Sequence, residues 1–242
     1  MKITVLDTSE DVAAALAERV ASALQATPAA VLGLASGRTP VDGYAELRRM
    51  HAAGQTDWSR VSTFNLDEFA GLDGAHPGSF RTFMERHLFE GVNLSRERIH
   101  FLNGVAADLN AECDRYEAAI AAAGGIDLQL LGIGLNGHIG FNEPGDRLVA
   151  DTHRVALRPE TRLANVAQFG GRLDDVPNEA LTVGMGTILR AAAIVLMATG
   201  ESKAEVVARA VQGPLTTHLP ASFLQTHREV EWYLDRAAAS RC

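Results

Sequence analysis

Read only for apolar and polar positions, the chain alternates between short apolar runs and longer amphipathic stretches. The short runs fall at residues 3–6, 30–34, 61–66, 98–102, 126–133, 153–157, 193–198 and 229–234, and the run at 126–133 hardly alternates at all. A strand of that composition is covered on both faces, as inside a parallel sheet. Thr8 and the three residues after it offer N-cap candidates for an alanine-rich helix to about residue 25, with Val12, Leu16, Val20 and Leu24 on one face. Further helices are predicted from 41, over 79–89, over 107–123, from Pro159 through proline at the first helical position, over 187–191, from Lys203 to about 211, and over 220–224. Residues 169–177 read as irregular, and 179–186 as a lead into the helix at 187. Strands alternating with helices throughout predict an α/β fold: a doubly wound, mostly parallel sheet with helices on both faces, Rossmann-like. With no internal repeat and no Pro/Gly/Ser-rich linker, residues 1–242 are expected to form a single domain.

Chemistry concentrates where these strands end. After 126–133 come Gly132, Gly134, Gly137 and Gly140, interleaved with Asn136, His138, Asn142 and Glu143. Open α/β sheets place ligands at the carboxyl ends of their strands, and glycines let backbone N–H groups approach them. His138 can move a proton near neutral pH and Glu143 can hold its ring. A histidine in a loop can also be merely solvated, so the setting gives the signal its weight. The strand at 30–34 runs into Ser36, Gly37, Arg38, Thr39 and Pro40, a small-residue turn ahead of a helix. Backbone donors, a helix dipole and three polar side chains make that turn an anion site, unless it is an ordinary strand-to-helix turn. The strand at 61–66 delivers Asp67 and Glu68, either a functional pair or else a solvated rim or a helix N-cap. Lys203 stands in a first helical turn, where a cation is unfavourable unless an anion lies between it and the dipole.

Charge and composition narrow the class. A net charge of −8 disfavours nucleic acid, which needs a basic face. No apolar run approaches the roughly 20 residues of a membrane span, and no signal-peptide pattern opens the chain, so a soluble cytoplasmic protein is expected. Cys113 and Cys242 lack metal-ligand spacing, and no third nitrogen or sulfur donor accompanies His138 and Glu143, so no metal is expected. There is no nucleophile elbow and no reactive cysteine. Acid–base chemistry on a small phosphorylated molecule remains, and sugar phosphates fit it.

Four stretches then carry a specific likeness. Thr63-Phe-Asn-Leu-Asp-Glu-Phe69, Gly134-Leu-Asn-Gly-His-Ile-Gly-Phe-Asn-Glu-Pro144, Ala180-Leu-Thr-Val-Gly-Met-Gly-Thr187 and Pro220-Ala-Ser-Phe-Leu-Gln225 together resemble the glucosamine-6-phosphate deaminases, over nearly the whole chain. The Phe-Asn-Glu run distinguishes this loop from that of the related 6-phosphogluconolactonases, which share only its Gly-His. The resemblance implies conversion of glucosamine 6-phosphate and water to fructose 6-phosphate and ammonia, without a cofactor. It implies His138 as the ring-opening acid and base, Glu143 as its orienting partner, Asn136 beside them and Asp67 as the base at C2. Ser36, Gly37, Arg38, Thr39 and Lys203 would bind the phosphate.

Three departures from the family pattern bear on this. Asn136 stands where some members carry aspartate. Ala167 stands where a phosphate-binding arginine is expected, and Arg38 where the turn usually has a small residue. We therefore expect the Arg38 guanidinium to supply the missing phosphate contact, or the pocket to favour another hexosamine phosphate such as the galacto isomer. The short chain resembles members that are monomeric or weakly associated, and hyperbolic kinetics without activation by N-acetylglucosamine 6-phosphate are expected. A lactonase-like hydrolase and a non-catalytic sugar-phosphate sensor are the rival readings.

Overall fold

A computed structural model describes residues 1–242. Seven strands form the central sheet: β1 (Lys2–Leu6), β2 (Val31–Leu34), β3 (Ser62–Asn65), β5 (Ile99–His100), β6 (Leu128–Leu131), β9 (Ala193–Ala198) and β10 (Val230–Asp235). Their order is β1-β10-β9-β6-β2-β3-β5, and every pairing is parallel. Alternate residues of the inner strands feed two separate cores. Val195 and Met197 of β9 face one core, while Ile194, Leu196 and Ala198 face the other. That two-sided burial is why these strands read as continuous apolar runs.

Helices cover both faces. On one side lie α1 (Ser9–Ala26), α2 (Val41–Ala52) and α3 (Phe80–His87), which contribute Leu16, Val20, Tyr44, Leu47 and Met84 to one core. On the other, α4 (Leu109–Ala122), α6 (Met185–Leu189) and α7 (Ala204–Gln212) contribute Tyr116, Ile120, Ile188, Val207 and Ala210. The α1 start is a reciprocal cap: Thr8 Oγ1 accepts from the Asp11 N–H, and the Asp11 carboxylate accepts from the Thr8 N–H. The doubly wound expectation therefore holds for the central sheet.

A second sheet departs from it. The chain leaves β3 at Leu66 and resumes as β4 (Asp67–Phe69), which pairs antiparallel with β8 (Glu179–Thr182). β8 pairs antiparallel in turn with β7 (His153–Ala156). The expected lead-in at 179–186 is thus partly strand, with α6 beginning at Met185. Leu66 joins the two sheets: its N–H donates to Leu34 O at 3.0 Å, and its carbonyl accepts from Val183 N at 2.7 Å. Asp67 and Glu68 consequently lie inside the protein, 5% and 1% exposed, and not on a solvated rim.

β2 and β6 are where the strand order changes direction. From β2 the chain proceeds outward through β3 to β5, while β6, β9, β10 and β1 lie on the other side. A crevice opens at the carboxyl ends of such a neighbouring pair. The 36–40 turn and the 132–143 loop both leave from there.

Candidate active site

The loop after β6 is shaped by contacts of its own residues. Gly134 needs its missing side chain for space: a Cβ there would come within 2.3 Å of the His138 ring. Gly140 needs it for conformation and space, with φ +58° and a would-be Cβ 2.9 Å from Thr182 Oγ1 and 3.5 Å from Asp67 Oδ2. The loop is pinned to the second sheet, where Thr182 Oγ1 accepts from Phe141 N at 3.1 Å. The Asn142 side-chain amide donates to Val183 O at 2.8 Å. This pinning sets His138 and Glu143 on the same loop that touches Asp67.

His138 Nδ1 lies 3.6 Å from Glu143 Oε2, an ion-pair contact with no hydrogen bond closed. Asn136 serves both neighbours: its Nδ2 donates to Glu143 Oε2 at 2.9 Å, and its Oδ1 accepts from the His138 N–H at 3.1 Å. Glu143 Oε1 accepts from Thr161 Oγ1. Burial works to raise the Glu143 pKa, but His138, the Thr161 hydroxyl and the Asn136 amide outweigh it and hold the carboxyl down at about 2. Glu143 is therefore a fixed anion at neutral pH.

Asp67 behaves in the opposite way. Burial pushes its pKa up to about 7, with the neighbouring Glu68 adding to the rise and the Ser36 hydroxyl opposing it. Ser36 Oγ donates to Asp67 Oδ1 at 3.2 Å, so the anion turn and the carboxyl are in direct contact. One carboxyl held ionised and another poised near neutrality, both against one loop, separate an orienting role from a proton-accepting one. Glu68 points elsewhere: its carboxylate accepts from Ser79 Oγ at 2.7 Å and from Phe80 N and Arg81 N at 3.0 and 3.1 Å. It caps the start of α3; burial raises its pKa, and the Ser79, Phe80, Phe69 and Arg81 donors oppose that rise.

Lys203, half-buried at the N-cap of α7, reaches back to the loop and donates from Nζ to Ile133 O at 2.6 Å. Its pKa is lowered by burial and then by the Arg38 guanidinium, so the two cations face a common space. Arg38 is exposed, Gly37 adopts φ +95° and Thr39 makes no side-chain hydrogen bond. Ala167 is exposed on the short turn Val166–Phe169. Direct contacts join Ser36 to Asp67 and join Asn136 to His138 and Glu143; Gly140 of the same loop lies against Asp67, and Lys203 bonds the start of that loop at Ile133. No group of three His, Cys, Asp or Glu side chains converges as a metal site would. Thr161 and Thr182 also belong to the site and gave little warning in the sequence. Thr182 lies within the Ala180–Thr187 stretch that carries the likeness, but nothing there marks its hydroxyl as the anchor of the loop.

Known proteins match this arrangement along its full length. The family described as glucosamine-6-phosphate isomerases/6-phosphogluconolactonase matches residues 6–232. Glucosamine-6-phosphate deaminase 1 of Giardia intestinalis is 49% identical over 228 residues, 94% of this chain and 86% of that protein. A glucosamine-6-phosphate deaminase of Clostridium perfringens is 45% identical over 239 residues, 99% of this chain and 98% of that protein. The solved structure of a monomeric glucosamine-6-phosphate deaminase superposes with a TM-score of 0.97 at 42% identity, covering 100% of both chains. The 6-phosphogluconolactonase of Thermotoga maritima shares the fold, with a TM-score of 0.75 at 20% identity over 97% of this chain and 99% of that one. By the family match and these near-complete alignments, the chain belongs to the glucosamine-6-phosphate isomerase and 6-phosphogluconolactonase family.

Proposed function

We propose that the protein converts glucosamine 6-phosphate and water to fructose 6-phosphate and ammonia, without a cofactor, in amino-sugar catabolism. The observation that carries this reading is a buried β4 carboxyl poised near pH 7, set beside a loop on which a histidine is held against an ionised glutamate. Relatives aligned over nearly the whole chain that are named as deaminases support it.

The chemistry uses each group once. The sugar opens when a proton leaves the anomeric hydroxyl and another reaches the ring oxygen, work suited to His138 with Glu143 holding its ring. Opening sets an aldehyde beside the carbon that bears the amine. Asp67 then removes the C2 proton while a proton passes from the substrate ammonium to the C1 oxygen, leaving an enolamine; Asp67 returns the C2 proton to C1, so that the nitrogen ends as an iminium at C2. Water adds to that carbon, ammonia departs, and the C2 ketone of fructose 6-phosphate remains. The substrate supplies its own electron sink.

The 36–39 turn and Lys203 form the phosphate subsite, with Arg38 contributing the second mobile cation. Their binding energy holds C1 and C2 against Asp67. We read the molecule as a cytoplasmic monomer or weak homo-oligomer; no helix is long and apolar enough to cross a membrane. Ammonia release from glucosamine 6-phosphate, beside galactosamine 6-phosphate and an Asp67→Asn variant, tests the reading. Release from the gluco substrate, lost in the variant, is expected. Release only from the galacto isomer would reassign the substrate, and silence with both would refute turnover.

A further inference from the structure

Helix α5 (Pro159–Asn165) packs against the site in an unusual way. Its single buried residue is Thr161, 2% exposed, whereas its one large apolar side chain, Leu163, is 59% exposed. Surface helices ordinarily turn an apolar stripe inward. This one turns in a hydroxyl, and the hydroxyl donates to Glu143 Oε1. Arg158, the N-cap residue of the same helix, donates to the Pro144 carbonyl, so the start of α5 holds both Glu143 and Pro144.

We propose that Thr161 is a positioning residue that fixes the rotation of the Glu143 carboxylate, and through it the orientation of His138. The two oxygens of Glu143 have different duties. Oε2 takes the Asn136 amide and faces His138 Nδ1, while Oε1 takes Thr161. The last torsion of a glutamate is broad, so a partner on one oxygen alone leaves the carboxylate plane poorly fixed. A second donor on the other oxygen, carried by a separate element, removes that freedom. Proline at the first helical position and Asn165, whose amide donates to the Thr161 carbonyl at 2.8 Å, hold the threonine backbone in place.

The inference rests on the proposed deaminase reading for its kinetic half only. Thr161→Val keeps shape and removes the donor; Thr161→Ser keeps the donor. With glucosamine 6-phosphate, the valine variant is expected to lose kcat by about 10- to 100-fold with KM changed less than about threefold, and the serine variant to recover most of it. In the free protein, the ring nitrogen signals of His138 are expected to move in Thr161→Val toward their positions in Glu143→Gln, and to stay put in Thr161→Ser. Unchanged kcat and unchanged His138 signals in the valine variant would overturn the proposal. So would a loss that serine fails to restore. If the native protein releases no ammonia, the deaminase reading falls, and the His138 signals still decide the role of Thr161.

Discussion

Asp67 and Glu68 are adjacent in β4, yet their carboxylates serve opposite ends of the molecule's logic. Asp67 meets Ser36 and lies against the loop after β6 at Gly140, whereas Glu68 meets the N–H groups that open α3. Successive residues of a strand point to opposite faces, and here one face is chemistry and the other is architecture.

Replacing Asp67 by asparagine should separate activity from stability. We expect kcat to fall by about 10²–10⁴. Stability should change with pH in a defined sense. Between the unfolded carboxyl value and the folded value of about 7, the native state keeps a proton that the unfolded chain releases, so native stability declines as pH rises through that window. Asparagine does not ionise. The variant should therefore gain on the order of 2–4 kcal/mol relative to the native protein at pH 8, and little at pH 4, in denaturant titrations. Equal shifts at both pH values would contradict the assignment.

The same group should shape the pH profile. Proton removal from C2 needs ionised Asp67, so kcat/KM should fall on the acid side with a midpoint near 7. Initial rates between pH 5 and 9 check this. A flat profile down to pH 5.5 would exclude Asp67 as the titrating base.

Glu68→Ala should act on the fold alone. It removes an acceptor from the Phe69, Phe80 and Arg81 N–H groups and from the Ser79 hydroxyl in a buried setting; Arg81 N–H keeps Ser79 Oγ and Ser79 keeps Gly74 O. A loss of about 2–3 kcal/mol, or roughly 4–10 °C in Tm, is expected, with kcat of the folded variant within a few-fold of normal. Calorimetry and single-temperature kinetics well below Tm distinguish the two effects.

The two cations of the phosphate subsite should report in KM. Lys203→Met should raise KM for the phosphosugar by about 10-fold or more, and Arg38→Ala by a smaller factor, with kcat less affected. An Arg38→Ala variant with unchanged KM would show that the exposed guanidinium does not replace the arginine missing at Ala167.

Much of this was legible in the residues. The largely apolar run before Gly132, interrupted only by Asp127 and Gln129, predicted a doubly covered strand, and the glycine and polar punctuation after it marked the loop, because both are local properties of the chain. β4 and β8 were not legible. They are short, and their pairing is decided by residues more than a hundred positions apart, so no alternation announces them. For Glu68 the residues left a solvated rim and a helix N-cap both open, because nothing in its own neighbourhood reveals that the start of α3, eleven or more positions on, will cover it. Thr161 was hidden for the same reason: its meaning depends on how α5 docks against residues 143 and 144, and a threonine in a first helical turn is unremarkable in isolation.

The partnership of β1 with β10 has a consequence for how the molecule is made. The first strand has a single neighbour, the last, in register from Lys2 with Glu231 to Leu6 with Asp235. During synthesis β1 therefore emerges without a partner and waits for almost the entire chain to follow. The sheet is complete only when β10 slots between β1 and β9, a late, long-range step of the kind that slows folding and leaves the backbone edge of β1 unpaired meanwhile.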